Sequence, residues 1–86
     1  MITRHDVAQK LIAHVQHRFG LDELVAWAEN AMMEEELDPP DLEVLRNILS
    51  RLGLADVKEF GLSWEDITGF LSLLGYLVKV EVSKVA

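Results

Sequence analysis

The residues best suited to chemistry are few. His14 and His17 stand three apart in a segment of helical periodicity, a spacing that brings two imidazoles close enough to share a metal ion. A zinc site built on them needs a third or fourth ligand from elsewhere in the chain. No H-E-x-x-H or related signature is present. A helical wheel puts His17 on the polar face and His14 beside the apolar stripe, as expected of solvated histidines. His5 lies near the start of the same helix with no partner suggested by spacing.

The densest acidic stretch is Glu34-Glu35-Glu36, followed by Asp38 and Asp41. Paired carboxylates serve acid–base catalysis when burial separates their pKa values. They also collect calcium, but the D-x-[DN]-x-[DN]-G loop is missing. Two other uses remain: a solvated loop with a helix cap built into it, and a docking surface for a basic partner. With no Gly-rich phosphate loop, no G-x-S-x-G elbow and no cysteine, the sequence predicts a protein that is not an enzyme and needs no cofactor. A metal-dependent enzyme using His14 and His17 is the rival class.

Composition narrows the partners. Fifteen acidic residues against eight basic leave a net charge of −7 in an 86-residue chain. Phosphate binding depends on clustered Lys and Arg, so nucleic acid and anionic membranes are poor partners. A basic protein, or a second copy of the chain, is the expected one. Half the residues are hydrophobic, enough for one core in a single domain spanning 1–86. The polar start Met1-Ile2-Thr3-Arg4-His5-Asp6 lacks the apolar centre of a signal peptide, which predicts a cytoplasmic protein.

Four helices position these groups. Thr3 and Asp6 form a capping box, with Ile2 and Val7 as its staple, and Val7, Leu11 and Val15 carry the first apolar stripe. Gly20 ends this helix or caps the next. The second helix is expected from about Leu21 to Glu35. Leu24, Val25, Ala28, Ala31 and Met32 form its core face, and Trp27 sits at the margin. Glu34–Glu36 lie at its C-terminal end, where the helix dipole disfavours negative charge. Leu37-Asp38-Pro39-Pro40 reads as a third start, with Asp38 as N-cap, Pro39 at N1 and Leu37 stapled to Leu42. Leu45, Ile48, Leu49 and Leu52 follow, and Gly53 is expected as a left-handed stop. Ser63 and Asp66 repeat the capping box for the fourth helix, which Gly75 ends.

The period then changes. Tyr76, Val78, Val80 and Val82 alternate with Leu77, Lys79, Glu81 and Ser83, which predicts a C-terminal strand over 76–84. A lone strand leaves its backbone unpaired. It is expected to pair with its copy in a homodimer or with another protein's sheet edge. The alternatives are internal pairing with Ala55–Phe60, or a frayed tail. The candidate partner-binding residues are therefore Tyr76, Val78, Val80, Val82, Glu34, Glu35 and Glu36. Trp27, Trp64, Val44 and Leu73 are further apolar candidates, and Met32-Met33 offers a soft contact.

The runs Leu52 to Asp66 and Glu23 to Met33 resemble a family of small uncharacterised bacterial proteins. That resemblance implies a bacterial, intracellular setting and brings no activity or site residue with it. The expected fold is mainly α, with four helices, a short connecting turn and one C-terminal strand. The expected role is a non-enzymatic protein–protein interaction module. One specific form of it is an acidic immunity-type or antitoxin-type inhibitor of a basic protein.

Overall fold

A computed structural model describes residues 1–57 and 61–77. The first helix, α1, covers Arg4–Val15 and opens on the expected capping box. The Asp6 N–H donates to Thr3 Oγ1 at 3.2 Å, and the Thr3 N–H donates to Asp6 Oδ2 at 2.9 Å. That backbone donor, with the Thr3 hydroxyl behind it, holds the Asp6 carboxyl below its ordinary range. The helix ends at Val15, well before Gly20. The Arg18 N–H donates to the Ala13 carbonyl at 2.9 Å and the His17 N–H to the His14 carbonyl at 3.1 Å. These two bonds are a Schellman stop, and the left-handed residue in it is His17, at φ +60°. Histidine takes that place where glycine is usual, so the stop is hard to see in the sequence.

The second helix, α2, covers Leu21–Glu34, with Gly20 as its N-cap. It has no basic residue in its last turn, and the chain becomes extended at Glu35. Leu37 then pairs with Ile2 in an isolated parallel bridge. The Ile2 N–H donates to the Glu36 carbonyl at 2.7 Å, and the Asp38 N–H to the Ile2 carbonyl at 2.9 Å.

The third start departs from expectation. Pro39–Asp41 is a single 3-10 turn, and the Asp38 side chain makes no capping bond. The two prolines carry no N–H, and the first available one, on Asp41, goes to the Asp38 backbone carbonyl at 3.0 Å. No donor is left for the Asp38 carboxylate. Helix α3 follows over Leu42–Leu52. Gly53 is right-handed rather than left-handed, at φ −63°. The chain keeps turning through Leu54 and Ala55 to Val57 and buries Ala55. A helical turn, not a strand, therefore occupies the described part of Ala55–Phe60.

Helix α4 covers Trp64–Leu73 and starts on the second capping box, Ser63 with Asp66. It ends on the same Schellman pair as α1. The Tyr76 N–H reaches the Leu71 carbonyl at 2.9 Å and the Gly75 N–H the Ser72 carbonyl at 3.0 Å. Here glycine supplies the left-handed residue, at φ +89°.

One core joins the four helices, with α2 packed along α3 and α1 against α2 and α4. Val7, Leu11, Leu24, Leu45, Ile48, Leu49, Leu52 and Leu74 are its largest fully buried side chains. Among the described residues there is no strand. Tyr76 and Leu77 open the expected strand without joining a sheet, and Val78, Val80 and Val82 lie outside the described residues. No described helix is long and apolar enough to cross a membrane.

Candidate partner-binding surface

The histidine pair dissolves on inspection of α1. The helix has ended before His17, so His14 and His17 no longer share a helix face. His14 is half-buried, and its Nδ1 donates to the Phe19 carbonyl at 2.9 Å, which ties the turn back onto the helix. Among the described residues, no three His, Asp or Glu side chains converge to hold a metal ion.

The other polar candidates divide into those already engaged and those left open. Arg4 grips Asp41 with both arms of its guanidinium, Nε to Oδ2 at 3.0 Å and Nη2 to Oδ1 at 2.5 Å. That fork lowers the Asp41 carboxyl and raises the Arg4 guanidinium relative to their ordinary values. Arg51 donates to the Gly61 carbonyl at 3.0 Å and lies 3.4 Å from Asp66. The Ser63 N–H, then its hydroxyl, then Arg51 lower the Asp66 carboxyl. Tyr76 is half-buried against the core, with its hydroxyl 3.2 Å from His5 Nδ1. These groups tie elements together.

Glu34, Glu35 and Glu36 are all exposed. Glu35 lies 3.8 Å from the Met1 amino group. Among the described residues, the side chains of Asp22, Glu29, Glu34 and Glu36 make no ion pair and no hydrogen bond. The structure therefore brings the acidic stretch to the C-terminal end of α2 and leaves most of it unengaged.

Beside that end lies an apolar groove of about 290 Å³ between α2 and α3. Glu29, Met32 and Met33 line one side, and Leu49, Ser50, Gly53 and Leu54 the other. Met32 was expected in the core, but it is 39% exposed, and Met33 is 82% exposed. Ala28 and Ala31 are buried on the core face of α2, whereas Met32 lines the groove at its edge. Glu29 packs over Gly53, where an added Cβ would lie in ordinary contact, 3.6 Å from Glu29 Cγ. Leu54 is exposed in the same wall as Gly53, and Val57, three residues on, is exposed too.

A second cleft, of about 220 Å³, runs between α1 and α4, lined by Ile12, Val15, Gln16, Trp64, Leu71, Tyr76 and Leu77. Trp64 is 47% exposed on its rim, whereas Trp27 packs against the core with Lys10 Nζ 5.8 Å from its ring. Of the other apolar candidates, Leu73 is exposed and Val44 packs against the core.

Sequence reasoning singled out Met32-Met33 as a soft contact but did not join it to Leu54 or Gly53. Those residues come from a turn whose right-handed continuation carries no sequence mark. Comparison of the chain with protein-family models, with curated proteins and with solved structures gives no match. The surface must be read from its geometry.

Proposed function

We propose that this chain is a non-enzymatic, cytoplasmic protein–protein interaction module whose main contact surface is the groove between α2 and α3. The carrying observation is the exposure of Met32, Met33 and Leu54 around one groove in a domain of 86 residues. Exposed apolar side chains gathered in one place, rather than scattered, mark a surface that another molecule covers. Methionine suits that use, because its flexible thioether adapts to different partner shapes. The groove is a poor small-molecule site. Its volume sits at the lower limit of the roughly 300–1,000 Å³ common to such pockets, and only Glu29 and Ser50 bring polar side chains to it.

The test is site-specific photo-crosslinking on the intact chain in extract of its native cell. A crosslinker at position 33 should give a discrete protein adduct, and one at the exposed position 73 should not. The same adducts from both positions would remove the assignment to this groove.

A second reading is favoured by Tyr76 and Leu77. Tyr76 is anchored to α1 through His5, and Leu77 beside it is 84% exposed. The alternating Val78, Val80 and Val82 that follow in sequence suit pairing with a second copy or with another protein's sheet edge. Deleting residues 80–86 should then convert a dimer to a monomer in analytical ultracentrifugation. An intact chain that stays monomeric at high concentration contradicts the homodimer.

A further inference from the structure

We infer that the α2–α3 groove takes a basic amphipathic helix from a different protein. This rests on the interaction-module reading and names the chemistry of its partner. Three observations converge on it. The floor and walls of the groove are apolar, formed by Met32, Met33, Leu49 and Leu54, so the occupant must bring apolar side chains.

The charge around the groove is one-sided. Asp22, Ala26, Glu29 and Met33 recur at helical spacing of four, three and four, so two carboxylates share the exposed face of α2 with Met33. Glu34 and Glu36 follow at the end of that helix, where the dipole adds further negative potential. On α3, Arg46 is exposed one turn before Ser50, and none of the residues lining the groove is basic. Asp56 lies beyond Leu54. None of these side chains is engaged within the described chain. An occupant flanked by Lys or Arg would meet them, whereas a second copy of a chain with net charge −7 would set carboxylate against carboxylate.

The backbone excludes an added strand here. The groove's walls are helices whose N–H and C=O groups bond within themselves, so no free sheet edge is available. A helix presenting one apolar stripe needs only side-chain contacts, and two packed helices offer a seam for it.

The experiment uses the intact chain and two synthetic peptides of about 18 residues, or five helical turns. Both carry the same Leu/Met stripe; one is flanked by Lys and the other by Glu. Binding is read by fluorescence anisotropy at low and at physiological salt. The Lys peptide should bind about tenfold more tightly, as expected of several partly screened charge pairs. Its advantage should shrink as salt is added. Met33→Lys should weaken the Lys peptide, by loss of apolar contact and added like charge, and Asp22→Asn with Glu29→Gln should narrow the difference between the two peptides. All three positions are exposed, and circular dichroism confirms that each variant is folded.

Equal affinity, or preference for the Glu peptide, would overturn the basic partner while leaving the groove as a contact surface. Lys-peptide binding unchanged by Met33→Lys would reduce the effect to general attraction toward an acidic chain and overturn the inference. If neither peptide binds at millimolar concentration, the inference is overturned, while the crosslinking result at position 33 decides separately whether the groove meets a partner.

Discussion

The N-terminal side of this domain and the C-terminal end of α2 are built from similar residues and use them in opposite ways. Around α1, carboxylates are spent on structure. Asp6 closes a capping box, Asp41 is held in the fork of Arg4, and the Ile2–Leu37 bridge stitches the chain beneath them. At the end of α2, Glu34 and Glu36 make no ion pair or hydrogen bond among the described residues, they stand beside exposed methionines, and no basic residue in the last turn answers them. A charged group that is already paired has little left to offer a partner. One that stays solvated beside apolar surface can be paired by whatever covers that surface. The difference separates residues that hold the fold from residues available for recognition.

The contrast can be broken or sharpened by substitution, beginning with the core that both regions share. Leu45→Ala, at a fully buried position, should lower stability by about 3 kcal/mol in urea unfolding. The helix caps come next. Thr3→Ala and Ser63→Ala should each cost about 1 kcal/mol, because each leaves a helix-start N–H without its acceptor.

The capping and paired carboxylates also set the response to acid. Asp6, Asp41 and Asp66 are all lowered in the folded chain from an ordinary value of 3.8. Their stabilisation is therefore complete above that value and is lost as pH falls through the lower folded values. The urea midpoint should drop in that window, and Asp6→Asn should remove part of the drop.

Two backbone substitutions are subtler. His17→Gly should stabilise by roughly 0.5–1 kcal/mol by relieving a left-handed histidine. Gly53→Ala should stabilise by roughly 0.5 kcal/mol, because the residue is right-handed and a Cβ would meet its neighbours at ordinary contact distances of 3.5–3.6 Å. The smallest effect on stability belongs to the recognition surface. Met33→Lys should change it by less than about 0.5 kcal/mol while weakening peptide binding. A large loss of stability would make Met33 part of the fold and erase the contrast.

The helices were legible because their starts are local chemistry. Thr3 with Asp6 and Ser63 with Asp66 are each four consecutive residues, and both boxes form as read. Where a terminus depends on what the chain does next, reading failed. Asp38 looked like a cap, but two prolines and a backbone bond removed its donors. Gly53 looked like a stop, but the chain turned on to bury Ala55. Nothing local marks His17 as the stop, so its spacing from His14 reads as helical. The groove was half legible. Met33 lies off the core stripe and the acids are contiguous, yet the opposite wall comes from α3 and the turn after it. Only packing brings those walls together.

The most direct test of the α2–α3 groove as a contact surface uses the chain's three methionines, Met1, Met32 and Met33. With 13C-labelled methionine methyls, titration of the Lys-flanked peptide should shift the Met32 and Met33 signals most. Saturable peptide binding that leaves the Met32 and Met33 signals in place would contradict it.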